Sequence, residues 1–436
     1  MTHRQRALAT GGTLFLAPLI FASGAAAQTL TTLYNFTGGN DGGDPRAALA
    51  IGTGGVLYGA ACAGGTSNNG AVFSLTPPAP GGSWTETVLY SFPGGSEGGC
   101  PYSVVMGSGG VLYGTFNGGT TGGYYGAVFS LTPPASPEGT WTETVPYTFP
   151  GGSDGQTPVG SLAIGDGGVL YGTTRFGGIS ADGGYGVVFS LTPPSSPGGL
   201  WIETVLHTFD NDRSGAYPTM GVVIGKGGVL YGATQYGGTG DCGTCGIVFS
   251  LTPPKSSSDA WVQRIVYSFK GAPTDGSLPT SLAIGSGGVF YGTTESGGIG
   301  RCEGCGTVFS LTPPAAPGDA WTEAVLYTFS NNSNANSYPG VAIGRGGVLY
   351  GIAYEGGTGT NAACVFGSCG MVFSLTPTGS GASGSWTEAA LHNFGGPPTD
   401  GANPDASVVI GGNGVLYGTT TTGGASNAGT VFALKP

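Results

Sequence analysis

Charge is scarce in this sequence: Asp, Glu, Lys and Arg make up only 8% of the 436 residues, and the net charge is −11. So sparse and acidic a surface cannot neutralise phosphates, which excludes nucleic acid as a partner. Histidine is nearly absent, with three in the whole chain. A Ser-His-Asp triad or a histidine zinc site therefore has little to build from, and no cofactor or metal is expected. No stretch shows helical periodicity. Beyond the first residues, no run is long and apolar enough to span a bilayer.

Glycine is what abounds. The chain holds 91 of them, about three times the ordinary share, alongside 20 Tyr, 20 Phe and 6 Trp. Disordered glycine-rich chains lack such aromatics, so these glycines punctuate a folded chain with many tight turns. The first residues carry an export pattern: His3, Arg4 and Arg6, then a largely apolar run over 13–22, then Ala25-Ala26-Ala27 before Gln28. This reads as a signal peptide over 1–27. Residues 28–436 are then expected outside the cytoplasm, secreted or periplasmic, where disulfides persist.

A repeat organises the rest. The segment GVLYG, varied once to GVFYG, places Tyr58, Tyr113, Tyr171, Tyr231, Tyr291, Tyr350 and Tyr417 at intervals of about 60 residues, a period that marks solenoids, propellers or arrays. A Val-Phe-(Ser/Ala)-Leu signature follows each, and runs beginning at Trp84, Trp141, Trp201, Trp261, Trp321 and Trp386 stand between them. In the third copy four strands are expected: 161–164, a Gly-rich turn into 169–174, then 186–192 ended by Pro193-Pro194, and 201–209. The fold class is all-β. Four short antiparallel strands per copy make a propeller blade. The seventh copy ends after its third strand, whereas residues 31–36 match the end of a fourth. The N-terminal strand therefore completes the last blade, and 28–436 is read as a single seven-bladed β-propeller with a closed ring and no exposed edge.

The pattern G-V-L-Y-G-T-T, a Gly-Gly loop and G-x-V-F-S-L, clearest at 168–174 with 186–192 and at 288–294 with 306–312, resembles the GloVer tandem-repeat family of exported bacterial proteins. The resemblance covers essentially all of 28–436. It implies a secreted, propeller-like protein, often tethered by a C-terminal anchor, and no established activity. The sequence stops at Pro436 without such an anchor, so a free extracellular or periplasmic protein is expected.

Residues repeated in every copy read as structural. The Tyr, Phe and Trp should pack between blades, and Glu86, Glu143, Glu203, Glu323 and Glu388 should discourage edge pairing on the outermost strand. His207 and His392 replace the tyrosine of that strand. Of the eight cysteines, Cys242/Cys245, Cys302/Cys305 and Cys364/Cys369 fall in one loop of three successive copies and are expected as local disulfides rather than zinc ligands. Cys62 and Cys100 are expected to pair across the loop into the second blade, contributing about 3–4 kcal/mol.

Four positions beyond each repeat tyrosine the side chain varies: Cys62, Asn117, Arg175, Gln235, Glu295, Tyr354 and Thr421. This places one displayed residue per blade where rigid scaffold meets loop. The interblade loops add Asp41, Asp44, Glu97, Asp154, Asp210, Asp212, Asp275 and Asp400, either as part of a pocket at this mouth or as solvated turn formers. Asp210 and Asp212 have a D-x-D-x-S-G spacing that could offer oxygens to calcium, but Arg213 and the lack of a downstream Glu argue against it. The expected site comprises Asn117, Arg175, Gln235, Glu295, Tyr354 and Asp154. The leading functional reading is a monomeric, non-catalytic propeller binding a carbohydrate, cell-wall component or protein partner on one face. The alternatives are a carbohydrate lyase or hydrolase acting at the channel mouth with acidic residues and Arg175, and a purely structural surface protein.

Overall fold

A computed structural model describes residues 28–94, 98–117, 125–136, 139–178, 183–196, 198–210, 213–239, 245–256, 258–298, 306–316, 318–329, 340–364, 367–379 and 385–436. The expected signal peptide, Glu97, Asp212, Cys242, Cys302, Cys305 and the side chain of Asn117 lie outside the described residues.

The chain forms a seven-bladed propeller of antiparallel blades, each ordered first, second, third, fourth strand from the axis outward. In the third blade these are Gln156–Ile164, Leu170–Phe176, Val187–Thr192 and Ile202–Thr208. The turn expected between the first two is a three-residue 3-10 turn, Asp166–Gly168. In the second, fourth and fifth blades the first strand is broken into two segments, both paired to the same neighbour. Among the described residues, the helical elements are three-residue turns of this kind.

Closure occurs as the repeat count requires. Thr29–Asn35 pairs antiparallel with Thr430–Lys435, from Thr29 opposite Lys435 to Asn35 opposite Thr430. The seventh blade thus takes its fourth strand from the start of the described chain, slightly earlier than the expected 31–36.

The repeated aromatics bind one blade to the next. The phenylalanine ending each fourth strand meets the third-strand phenylalanine of the following blade edge to face, as in Phe36–Phe73 and Phe149–Phe189, both 5.0 Å between centroids. Phe394–Phe432 continues the series into the last blade at 5.4 Å. The tryptophans reach back the other way, Trp141 to Tyr58 and Trp84 to Tyr417. Each Phe–Phe contact adds about 0.5–1.5 kcal/mol beyond area burial.

A second interblade device involves the glycine opening each third strand. In the third blade Gly186 has φ +98°, and a Cβ there would lie 2.3 Å from the Thr174 carbonyl and 2.6 Å from Cδ of Pro218 in the fourth blade. The Tyr185 carbonyl accepts the Tyr217 N–H across the seam at 2.8 Å, and within the third blade the Gly186 carbonyl accepts the Phe209 N–H at 3.0 Å. The proline of one blade can sit on the backbone of the previous one only because no side chain intervenes.

Gly186→Ala should accordingly destabilise the protein by about 3 kcal/mol, from combined positive-φ strain and clash. A urea unfolding curve gives the value, and a loss below about 0.5 kcal/mol would show that this contact does not hold the seam.

Candidate functional site

The first strands of all seven blades surround an axial cavity of about 380 Å³. Its charged lining residues, Arg46 and Asp405, come from neighbouring blades. Asp44 and Arg46 stand at the entry to the first blade, where Nε and Nη2 of Arg46 each approach Oδ2 of Asp44 at 2.9 Å. Asp405, on the seventh blade, lies within electrostatic reach of both. Burial pushes its carboxyl up to about 6, with Arg46 opposing the shift and Asp44 adding to it. Tyr102 of the second blade also lines the cavity. Tyr354 of the sixth blade feels Asp405, Arg46 and Asp44 and is hydrogen-bonded to Thr421. The cluster can donate through the guanidinium and phenols and accept through the carboxylates.

Of the expected site residues, the structure brings two into contact: Arg175 Nη2 donates to Gln235 Oε1 of the next blade at 3.0 Å. Tyr354 joins the axial cluster. Glu295 is half-buried at the matching end of its second strand, and the backbone of Asn117 pairs with Gly99. Cys62 is bonded to Cys100, and Cys364 to Cys369, as expected; Cys245 is also disulfide-bonded.

The sequence reading missed Arg46, Tyr102 and Asp405. It also missed a ring of non-glycine residues held in the left-handed region: Asp44, Cys100, Thr157, Tyr217, Leu278 and Asn403, with φ of 52–59°. Each precedes the seam proline of its blade, and each differs from the others in chemistry. A varied residue ahead of a repeated proline was the available signal; bulky side chains at such φ values are outliers that gather where function is built.

The acidic loop residues are held by the fourth strands. The Asp154 carboxylate accepts from Tyr147 Oη at 3.1 Å and Ser153 Oγ at 2.8 Å. Asp41 accepts from Tyr34 at 3.0 Å, Asp275 from Tyr267 at 2.8 Å, and Asp400 pairs with His392 at 2.9 Å. These carboxylates tie the interblade loop to the preceding fourth strand. Asp210 accepts from Ser214 Oγ at 3.0 Å, and Asp212, its partner in the calcium-like spacing, lies outside the described residues.

The fourth-strand glutamates share these seams instead of simply charging an edge. Burial, reinforced by Asp41, pushes Glu86 up to about 7. Burial and Asp154 do the same for Glu203, to about 7, and burial with Asp275 takes Glu323 to about 8. Where the preceding strand carries His207 or His392 in place of tyrosine, the glutamate position holds Gln263 or Leu30. A histidine–aspartate pair such as His392–Asp400 already balances its charge when protonated, and no second carboxyl stands beside it.

The family model described as the Gloeobacter/Verrucomicrobia repeat matches residues 8–184, 135–303 and 299–436. No curated protein matches the chain. Among solved structures, the chain is similar to PorZ of Porphyromonas gingivalis, described as a bacterial surface component of the type-IX secretion system. That likeness has 14% identity and a TM-score of 0.51, over 88% of this chain and 46% of the other. A Thermus thermophilus protein described as an oxidoreductase (glucose dehydrogenase) aligns at 13% identity and TM-score 0.43, over 94% and 100%. A gluconolactonase from Xanthomonas campestris aligns at 12% and 0.40, over 93% and 89%. At these identities the likeness is one of fold.

The seam carboxyls imply a pH dependence. A glutamate whose folded pKa exceeds its unfolded 4.5 holds its proton more tightly when folded. Its contribution is complete below that value and is lost as pH rises through about 7–8. Urea midpoints should therefore fall steadily between pH 5 and 8.5, and the triple substitution Glu86→Gln, Glu203→Gln, Glu323→Gln should flatten the slope. A midpoint that climbs across this window would contradict the assignment.

Proposed function

The chain belongs to the Gloeobacter/Verrucomicrobia repeat family, and from that premise we propose that it is an exported, monomeric, non-catalytic propeller that binds a partner on its loop face. The partner is a carbohydrate, a cell-wall component or a protein, and its seat is the mouth of the axial cavity. The observation carrying this reading is the cluster in which Arg46, paired with Asp44 and within electrostatic reach of Asp405, stands with Tyr102 on the wall of a cavity of about 380 Å³. Such a cavity suits a small ligand fragment, and closely set donors and acceptors suit vicinal hydroxyls. Export is supported by the leader pattern at 1–27 and by two disulfides, Cys62–Cys100 and Cys364–Cys369, which persist in oxidising compartments.

One feature favours the enzymatic alternative, a carbohydrate lyase or hydrolase. Asp405, raised to about 6, has the tuning of a general acid near neutral pH. A glycan array probed with residues 28–436 separates the readings when bound glycans are also assayed for new reducing ends. We expect binding without cleavage, weakened at least tenfold by Arg46→Ala. Cleavage abolished by Asp405→Asn would establish the alternative. An empty array together with no protein retained from a cell-envelope extract would contradict the binding role.

A further inference from the structure

Away from the axial cluster, the loop face carries a concentration of aromatic side chains at the seam between the third and fourth blades. Tyr217 is its hub, with ring centroids of Phe176, Tyr185 and Tyr236 at 5.5, 5.4 and 5.9 Å, all edge to face. Phe176 is 36% exposed and the three tyrosines are half-buried. Beside them the Arg175 guanidinium lies 5.8 Å from the Phe176 centroid and donates to Gln235. An open aromatic surface therefore borders a planar cation and a planar amide.

Holding the seam does not require these rings. At the place of Phe176 other blades carry Ala63, Ser296, Glu355 and Thr422, and at the place of Tyr217 they carry Asp44, Cys100, Thr157, Leu278 and Asn403. The backbone bonds that join the blades are the same with or without aromatics: Asn403 N–H to the Cys369 carbonyl at 2.8 Å repeats Tyr217 N–H to Tyr185 at 2.8 Å. A bulky tyrosine at φ +54° is a costly choice where aspartate or asparagine serves. The aromatic set is surplus to the fold.

We propose that Phe176, Tyr217 and Tyr236, with Arg175 and Gln235, form a pyranose-binding platform. The apolar C–H face of a sugar ring packs on the aromatics, while the guanidinium and amide hydrogen-bond its hydroxyls. Large rigid rings give contact area at small entropic cost, and the flanking polar groups orient the ligand. The platform lies at a seam and exposes Phe176 beside Arg175, so it fits an extended oligosaccharide whose rings present flat faces, as β-1,4-linked chains do. The inference rests on the reading of the loop face as a binding surface and adds a subsite and a ligand class to it.

Titration of the oxidised full chain with chitotetraose and, separately, cellotetraose tests this, read by calorimetry and by saturation transfer from protein aromatic protons to sugar ring protons. Phe176→Ser and Tyr217→Asn introduce residues that other blades already carry at these places, so folding should survive. If one variant nevertheless unfolds, the other still reports. We expect at least one oligosaccharide to bind, with affinity lowered at least tenfold and saturation transfer lost in either variant. Wild-type affinity in Phe176→Ser and Tyr217→Asn, with binding lost instead in Arg46→Ala, would overturn the platform and leave the axial seat standing. A wild-type chain that binds neither oligosaccharide would also overturn it, while binding of other array ligands or of an envelope protein would still sustain the broader role.

Discussion

At six seams among the described residues, a proline lies against a glycine of the preceding blade. The pairs are Pro45 on Gly429, Pro101 on Gly70, Pro158 on Gly126, Pro218 on Gly186, Pro279 on Gly246 and Pro404 on Gly370. A Cβ on any of these glycines would come within 2.4–2.8 Å of the proline Cδ. The residue ahead of each proline donates its N–H to the carbonyl just before the glycine, at 2.6–2.9 Å. The glycine supplies the positive φ and the missing side chain, and the proline supplies a rigid surface with no donor to satisfy. The Phe–Phe contacts then fill the space beneath with apolar area. The pairing of Pro45 with Gly429 makes the ring closed, because it joins the first blade to the last by the same contact as any other two.

This clasp also determines where chemistry can vary. It uses only the backbone of the residue before the proline, so the side chain there is free to be Asp44, Cys100, Tyr217 or Asn403. The opposing position at the end of the second strand is similarly unconstrained, and across one seam the two positions cooperate as Cys62–Cys100. Asp44 and Arg46 flank Pro45, and Asp405 follows Pro404. The axial cluster and the aromatic platform are thus two local uses of one permissive ring. Variation there leaves the seam in place because its backbone contacts persist whichever side chain is present.

Much of this was legible from the chain itself. The GVLYG tyrosines counted the blades, and the missing fourth strand in the last copy located the closing strand. The repeated aromatics announced interblade packing, and Cys62 and Cys100 could be paired from topology. The partners of the acidic loops were not legible, because periodicity gives a residue's position along the chain and not the direction of its side chain. Asp154 turns back to Tyr147, and Glu203 joins it at the seam. Arg46 and Asp405 were overlooked because they stand out only once seven strands are gathered about one axis. The left-handed ring was likewise hidden: its residues share a backbone conformation and no side-chain chemistry.

A closed ring requires the closing seam to be equivalent to the others, and amide hydrogen exchange measures this residue by residue. The Phe36 and Asp44 N–H groups donate to Gly429 and Ala428 at 3.0 and 2.9 Å, as Phe209 and Tyr217 donate to Gly186 and Tyr185 at 3.0 and 2.8 Å. The closed ring predicts that Asp44 exchanges as slowly as Tyr217, since opening either requires parting two blades, and that Phe36 exchanges as slowly as Phe209, since opening either detaches the fourth strand of a blade. Fast exchange at Asp44, with slow exchange at the other seams, would show that the first and last blades are not joined and would contradict a closed ring.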